Sequence, residues 1–586
     1  MNKRKEHTNA QKATPKANVF ALLGPYKGFV LLLAVVTIAG NAISLFIPKL
    51  ISKGIDSYSA GTFDLNSLSM QFVLVSVLVL VCTYLQGVVQ TYLSEKSARD
   101  IRTSLTDKIS RLSFAKLEKE TPAKLLTNLT SDIDAIKQFI SMGIVTIISS
   151  LILIVGSAIL LISIHWKLAL AVLALLPLIG VLFFVVFKKI GPLFKLTQEI
   201  IDRLNATISE SIIGASLVRV LHSETSEVSK FHAENSAARD NGLKILKYFS
   251  LMIPSVGIIA NLAILVILAL GGKFVIGGSM TLGEFAAFNS YVYILIFPII
   301  MLGFVSSIMS RAQESYGRIS EVTKLEDEKD EGIEAQVKGD VEVKNVTVSY
   351  GEKKALDDVS FAIRAGTKTA IIGPTAAGKT QLLHTLIGLI RPDSGEVYFD
   401  GKPITSYSKH SIHSQVAIVF QDSVMFQTTI RENIAFNKQA HEADVQKAIE
   451  TAELSDFVAS LPQGLDTMAS ERGTSLSGGQ KQRIMLARAL SINPKVLLLD
   501  DFTARVDQNT ETKILKNIEK NYPHLTVISV TQKIHSVESF DKIILLMEGE
   551  VIASGTHKEL SATSPEYAQI MESQKSTHTY EQSHNH

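Results

Sequence analysis

The chain has 586 residues, which is too many for one hydrophobic core and enough for two or three domains. It is 46% hydrophobic and 19% charged, whereas soluble proteins of this size are usually more polar. The formal net charge of +2 gives no support for nucleic-acid binding. The single cysteine, Cys82, excludes a disulfide framework and a cysteine-based metal site.

Six apolar stretches ahead of Ser310 are long enough to cross a bilayer, which takes about 20 residues per helix. None of them carries lysine, arginine, aspartate or glutamate well inside its span. The sequence therefore predicts an α-helical membrane domain with six transmembrane helices and excludes an ordinary soluble protein. The predicted spans are 28–47, 70–93, 139–164, 168–187, 251–270 and 285–308.

The charges between the spans predict the orientation. The connections between spans two and three and between spans four and five are rich in lysine and arginine. The opposite connections carry only Lys49, Lys53, Lys167 and Lys273. Because basic loops stay on the cytoplasmic side, both long connections and both termini are predicted to be cytoplasmic in a cell membrane. Apolar residues recur at helical spacing in the second connection, so both connections are expected to extend the membrane helices as stalks.

Composition also divides the chain. The membrane domain is predicted at 19–323, a charged linker at 324–340 and a globular domain at 341–572. Polar tails are predicted at 1–18 and 573–586.

The globular domain contains a phosphate-binding motif. A short apolar strand at 369–372 leads into the pattern G-x-x-x-x-G-K-T and then into a helical segment, the setting of a P-loop. Backbone amides of such a loop bind phosphate oxygens. Lys379 is predicted to pair with the β- and γ-phosphates of ATP, and the Thr380 hydroxyl to bind Mg²⁺. The predicted ATP contacts here are Gly373, Pro374, Thr375, Ala376, Ala377, Gly378, Lys379, Thr380 and Gln381.

Two more motifs follow. A buried-type strand at 496–499 ends in Asp500, a predicted Mg²⁺ ligand, and Asp501 is expected to polarise the attacking water. Between the P-loop and this strand, a serine-glycine-glycine segment precedes a helical pattern and forms a second anion site. That segment consists of Leu476, Ser477, Gly478, Gly479 and Gln480.

The order of these motifs resembles that of the ABC transporter superfamily, and the six-span half resembles its type I (type IV fold) exporters. The resemblance covers nearly the whole chain and implies a membrane domain fused to an α/β P-loop ATPase domain. It implies that Tyr350 stacks on adenine, that Gln421 links Mg²⁺ to the membrane domain, and that 471–473 contact the coupling helices of the membrane domain. In this family each ATP lies between one subunit's P-loop and the other subunit's signature, here 476–480, so a dimer is implied.

The chain departs from the family pattern at four places. Asp501 stands where glutamate is usual, and a carboxylate displaced by about an ångström can cost on the order of a hundredfold in rate. Gln532 stands where a switch histidine is expected, and it cannot become an imidazolium. In the D-loop at 503–507, Ala504 lacks a hydroxyl; in the P-loop, Ala376 replaces a frequent glycine.

Together, Asp501 and Gln532 resemble the degenerate subunit of a heterodimeric exporter, whose own site binds ATP but hydrolyses it poorly. The expected partners are a second half-transporter, membrane lipids and a small apolar or amphipathic cargo, in a bacterial cell membrane. Alternatives are a homodimeric lipid or peptide exporter and an ATP-gated channel.

Overall fold

The structure is a computed structural model that describes residues 19–584 apart from 329, 437–439 and 471–472. The predicted tail at 1–18 and Glu471 and Arg472 of the expected coupling-helix contact therefore lie outside the described residues. The chain forms two compact units. One runs to Arg111 and continues over Glu120–Glu326; the other contains Leu112–Lys119 and the chain from Asp327 onward.

The membrane unit is helical throughout. A 3₁₀ turn at Val19–Tyr26 precedes its first helix. Single π-helical turns lie between later helices of the unit, at Asn128–Asp132, Phe139–Gly143 and Ile267–Gly271. The helices are α1 (Lys27–Ser44), α2 (Phe46–Ser59), α3 (Leu65–Ser110), α4 (Phe114–Glu120, mostly within the second unit), α5 (Pro122–Thr127), α6 (Ile133–Gln138), α7 (Ile144–Leu173), α8 (Leu176–Ile213), α9 (Ala215–Val220), α10 (Glu224–Val266), α11 (Gly272–Ile276) and α12 (Leu282–Thr323).

The first predicted span is broken between α1 and α2. Pro48 lies early in α2 and lacks the amide that would continue the helical hydrogen bonds across this point. The hydroxyl of Tyr291 on α12 donates to the carbonyl oxygen of Leu45 at 2.8 Å, so a backbone group at the break is satisfied by another helix.

The described residues contain five helical stretches long and apolar enough to cross a membrane, against six predicted spans. The difference arises because Pro122–Ile213 forms one nearly continuous stretch that includes spans three and four. The backbone of this stretch is non-helical at His165 (φ −154°, ψ 100°), which lies between the third and fourth predicted spans. The predicted fourth span is itself interrupted between α7 and α8, where Pro177 stands near the start of α8.

The helices run well beyond the predicted spans. α3 has 46 residues, and α8 and α10 have 38 and 43. In the predicted stalk the Asn241 amide on α10 donates to the Thr197 hydroxyl at 2.8 Å and to the Leu193 carbonyl at 2.9 Å on α8. In the second connection predicted to be cytoplasmic, α8 and α10 are therefore helices that these hydrogen bonds join to each other.

The second unit contains two sheets. A four-stranded antiparallel sheet has the order β2-β1-β4-β5, and a six-stranded sheet has the order β10-β9-β3-β8-β7-β6, parallel except for β10. The strands are β1 (Val341–Tyr350), β2 (Lys353–Ile363), β3 (Lys368–Ile372), β4 (Ser394–Phe399), β5 (Lys402–Pro403), β6 (Val416–Val419), β7 (Val496–Asp500), β8 (Thr526–Thr531), β9 (Lys542–Met547) and β10 (Glu550–Gly555).

Helices of this unit pack around the six-stranded sheet. β3, β7 and β8 are almost wholly buried, and β8 lies between the other two. Because the three strands are parallel, the loops at their carboxyl ends meet at one edge. The helices are α13 (Lys379–Leu386), α14 (Lys409–His413), α15 (Ile430–Ile434), α16 (Glu442–Thr451), α17 (Ser455–Ser460), α18 (Gly478–Leu490), α19 (Gln508–Asn521), α20 (His557–Thr563) and α21 (Pro565–His584).

The C-terminal segment, predicted as a polar tail at 573–586, is helical over most of its length. α21 continues through it as far as His584. The start of this helix is anchored by Tyr567, which is fully buried and whose hydroxyl lies 2.8 Å from Nδ1 of His557. Tyr567 therefore fixes the start of the helix to the core, and Ile570 and Met571 pack beside it.

Candidate nucleotide site

The P-loop joins β3 to α13, and close backbone contacts fix its glycines. A Cβ on Gly373 would lie 2.0 Å from the carbonyl oxygen of Leu546. One on Gly378, whose φ is +95°, would lie 2.3 Å from the carbonyl oxygen of Ala355. Ala376 adopts φ +67°, a left-handed conformation that costs a non-glycine residue roughly 1–2 kcal/mol. The replacement of a frequent P-loop glycine by Ala376 therefore leaves backbone strain in the loop.

The Lys379 side chain lies inside this loop. Its amine donates to the carbonyl oxygens of Gly373 at 2.8 Å and Pro374 at 2.7 Å. Burial lowers the pKa of Lys379, and the charges of Asp501 and Asp500 oppose that shift. The arrangement places a cation at the N-terminus of α13, where the helix dipole also favours phosphate.

Asp500 and Asp501 follow one another at the carboxyl end of β7. Burial raises the pKa of both carboxyl groups, and the charge of Lys379 opposes the shift in each. Asp501 adopts a left-handed backbone (φ 45°, ψ 36°), and its amide donates to the Val530 carbonyl on β8 at 3.0 Å. The two carboxylates are therefore held at the edge where the P-loop also ends.

Asp500 and Thr380, two of the three residues predicted to bind Mg²⁺, fit the ligand chemistry of this ion. Asp500 is buried and receives a side-chain hydrogen bond from Thr380, while its Oδ2 has no hydrogen-bond partner among the described residues. A buried carboxylate oxygen beside a hydroxyl fits a hard cation that prefers oxygen ligands. The side chain of Gln421, the third predicted ligand, is exposed, and no hydrogen bond described in the structure joins it to Thr380 or Asp500.

Gln532 follows β8 and reaches the P-loop. Its side-chain amide donates to the Thr375 hydroxyl at 3.5 Å. His535, the nearest histidine in sequence, instead lies 3.8 Å from Glu538 and is mostly exposed. The structure thus brings Gln532, and not His535, to the side of the loop where a γ-phosphate is expected.

The segment 476–480 forms the start of α18. Ser477 caps the helix: its hydroxyl accepts from the Gln480 amide at 3.2 Å, and its own amide donates to the Gln480 side chain at 2.8 Å. A Cβ on Gly479 would lie 2.9 Å from the carbonyl oxygen of Arg505, so the D-loop backbone requires a glycine there. Within the described part of the chain, no hydrogen bond connects this segment to the P-loop.

Comparisons with known proteins agree with this geometry. Residues 30–299 match the family described as "ABC transporter transmembrane region", and residues 356–504 match "ABC transporter". An ABC transporter ATP-binding protein of Bacillus subtilis (strain 168), YknU, is 32% identical over 543 residues, which cover 91% of this chain and 93% of that protein. The chain belongs to the ABC transporter family.

Other relatives of this ABC transporter carry more specific names. A probable multidrug resistance ABC transporter ATP-binding/permease protein of Bacillus subtilis (strain 168), YheI, is 33% identical over 92% of this chain and 94% of its own length. The ATP-dependent lipid A-core flippase of Photobacterium profundum is 31% identical over 83% of this chain and 84% of its own length.

A solved structure agrees at the level of the fold. A bacterial Atm1-family ABC exporter with ATP bound superposes with a TM-score of 0.78 and 24% identity, covering 94% of this chain and 99% of that one. The two family matches and the relatives, and not this superposition, show that the chain is a multi-pass membrane protein and an ATPase coupled to transport across the membrane.

The structure gives the positions of two other predicted site residues of the transporter, but it does not test their roles. Tyr350 ends β1 with its side chain about half exposed (49%), so its ring is free to stack on a base. The backbone carbonyl of Gln421 accepts from the buried Gln482 on α18 at 3.0 Å, which links the segment after β6 to the signature helix. Adenine stacking by Tyr350 and Mg²⁺ binding by Gln421 stay predictions.

Sequence reasoning missed two residues of the ATPase unit. The Lys533 amine donates to the Thr503 carbonyl at 3.3 Å, and its charge opposes the rise in the pKa of Asp501. Its position directly after Gln532 is the signal that could have found it. Phe114 packs edge-on against His384 of α13, with ring centroids 5.6 Å apart. An aromatic residue inside a basic connection between two predicted spans is a weaker signal of such a contact.

Proposed function

We propose that this transporter exports small apolar or amphipathic compounds by alternating access, as one subunit of a heterodimer whose site at this chain's P-loop hydrolyses ATP slowly. The observation that carries the proposal is the pair Asp501 and Gln532. They stand beside an otherwise complete set of phosphate-binding and carboxylate groups, which includes Lys379 and Asp500.

The side chains of this pair explain slow hydrolysis. The Asp501 carboxylate is one methylene shorter than glutamate, and its backbone amide is tied to Val530, so the chain cannot shift freely to compensate. A displacement near an ångström costs on the order of a hundredfold in rate. Gln532 can hydrogen-bond a γ-phosphate, but it cannot supply a cation there. Nucleotide binding is retained because the P-loop backbone and Lys379 are intact.

The proposed roles of the residues are as follows. The loop amides and Lys379 bind the β- and γ-phosphates and take up charge as the terminal phosphoryl group is transferred. Thr380 and Asp500 hold Mg²⁺, which when bound neutralises charge on the phosphate oxygens. Asp501 orients the attacking water, and Gln532 holds the γ-phosphate from the opposite side.

Exposed apolar surface supports a second subunit. Ile213 and Val220, at the tip of the second cytoplasmic connection, are 82% and 75% exposed. On the ATPase unit, Val424, Phe426, Phe436 and Met468 are also exposed, and the rings of Phe426 and Phe436 stack on each other. Apolar side chains outside the bilayer are stabilised by a protein partner. The partner proposed for both surfaces is the second half-transporter. The basic loops and both termini of this chain are proposed to lie in the cytoplasm, as the charges between the spans predict.

The proposed cargo and host rest on the composition of the predicted spans and on the named relatives. The predicted spans are nearly free of ionisable residues, which favours apolar or amphipathic cargo over ions. The relatives named as a probable multidrug resistance transporter and as a lipid A-core flippase agree with such cargo, and both are bacterial. A homodimeric lipid or peptide exporter and an ATP-gated channel are the other candidates. Electrical recording distinguishes a channel from a pump.

The decisive experiment measures ATPase activity of the purified full-length chain in lipid nanodiscs. In nanodiscs that hold two copies of the chain, so that the segment 476–480 of one copy can face the P-loop of the other, we expect turnover near background for the wild type. The double variant Asp501→Glu/Gln532→His should raise turnover on the order of a hundredfold, because a repositioned carboxylate and an imidazole are restored. Lys379→Ala in the double variant is the matched control and should remove the activity.

Two outcomes would contradict the proposal. Robust turnover of the wild-type chain without a partner, lost in Asp501→Asn, would make this site hydrolytically competent. Failure of the wild-type chain to bind ATP would contradict the proposal that this site binds ATP but hydrolyses it slowly.

A further inference from the structure

The C-terminal helix α21 presents one face to the core of the ATPase unit. Tyr567 is fully buried, and Ile570 and Met571 pack against a cluster that includes Ile372, at the end of β3. These three residues occupy helical positions i, i+3 and i+4. Gln574 is the next residue on the same stripe, at i+7, so a polar amide continues an otherwise apolar face.

The Gln574 amide is occupied at both ends by backbone just after β8. Its nitrogen donates to the carbonyl oxygen of Gln532 at 2.6 Å, and its oxygen accepts from the amide of Ile534 at 3.0 Å. β8 ends at Thr531, so these two backbone groups lie beyond the sheet hydrogen bonds. One side chain thus supplies the partners that the strand no longer provides.

Gln532 is held on both sides. Its backbone carbonyl accepts from α21, and its side chain donates to Thr375 of the P-loop at 3.5 Å. Residue 532 therefore connects the C-terminal helix, through its backbone carbonyl, to the phosphate-binding loop, through its side chain. Ile534 adds an apolar contact, since it belongs to the same buried cluster as Tyr567.

We propose that Gln574 is a positioning residue that holds the 532–534 segment, so that the side chain of Gln532 faces the γ-phosphate. Two hydrogen bonds from one amide fix both the position and the orientation of this segment, and without them it gains conformational freedom. The C-terminal helix thereby sets the preference of this site for ATP over ADP. This inference rests on the proposed role of Gln532.

The test compares the affinities of MgATP and MgADP for the full-length chain in nanodiscs. Gln574→Met keeps the length and the apolar stem of the side chain but removes both hydrogen bonds. We expect MgATP affinity to fall by about fivefold, the equivalent of one net hydrogen bond, with MgADP affinity unchanged because ADP lacks the γ-phosphate. Glu572→Ala, at an exposed position of the same helix, is the matched control and should leave both affinities unchanged.

Gln532→Ala in the same assay separates the two hypotheses. If it lowers the ATP preference and Gln574→Met does not, the positioning role is wrong and the role of Gln532 stands. If neither variant changes the preference, both are wrong. A parallel loss of ATP and ADP affinity in Gln574→Met would overturn the inference, since it indicates general disruption. Gln574→Ala, checked by thermal unfolding, provides a second variant should the methionine variant fold poorly.

Discussion

The buried carboxylate of Asp132 yields a sharp prediction about the stability of the membrane unit. Asp132 ends the π-helical turn Asn128–Asp132, and its side chain is only 3% exposed. It accepts from the Ser315 hydroxyl at 2.9 Å and from Nε of Arg318 at 3.0 Å, both on α12, and a second guanidinium nitrogen of Arg318 also contacts it. This pair joins the connection between the second and third predicted spans to the end of α12.

The change is Arg318→Met, which keeps the apolar stem and removes the charge. Breaking a buried ion pair by removing one partner costs about 3–5 kcal/mol, since the remaining charge is buried without compensation. The Arg318 side chain is 44% exposed, so water reaches the guanidinium and the pair is partly screened. We therefore expect a loss of about 2–3 kcal/mol, with Ser315 left as the carboxylate's main donor.

The assay is thermal unfolding of the purified transporter in one detergent at one protein concentration. Arg318→Met should lower Tm clearly, and the double variant Asp132→Leu/Arg318→Met should recover part of the loss because no charge stays buried. Arg311→Met, two helical turns earlier on α12 and exposed, is the matched control. The reasoning is refuted if Arg318→Met and Arg311→Met unfold at the same temperature, or if the double variant is the least stable.

Three further predictions concern single sites. Gly378→Ala should abolish ATP binding, because φ is +95° there and the new Cβ would lie 2.3 Å from a carbonyl oxygen. Ala376→Gly, at φ +67°, should keep full affinity for ATP. Equal ATP affinities of the two variants in a nucleotide titration would contradict this prediction. Asp56→Ala should destabilise the transporter by about 1–2 kcal/mol. The Asp56 carboxylate accepts from the Gly283 amide and the Thr281 hydroxyl, each at 2.8 Å, at the start of α12; an unchanged Tm would exclude such a role. Burial raises the pKa of Asp500, so the gain in ATP affinity that Mg²⁺ provides should fall as the pH is lowered towards that pKa. Chelation of Mg²⁺ should remove this pH dependence. A gain in affinity that does not change with pH would refute the role of Asp500.

Local patterns in the sequence were enough for the P-loop, the β7 carboxylates and the signature helix. Each is a contiguous run whose residue types are dictated by its own backbone: Gly373 and Gly378 by close carbonyls, and Ser477 by the helix start it caps. The spans were also readable, because a bilayer requires a continuous apolar stretch. The ends of helices were harder to predict: α8 begins beside Pro177 after a break inside the fourth predicted span, and α21 continues through a polar segment as far as His584.

The sequence by itself determined which groups can bind phosphate and Mg²⁺, and that Asp501 and Gln532 replace the usual pair. Only the tertiary structure decided what holds them. Gln574 lies 42 residues from Gln532, and Arg318 lies 186 residues from Asp132. No local pattern predicts these hydrogen bonds, because they form only when the whole chain brings distant segments within about 3 Å of each other.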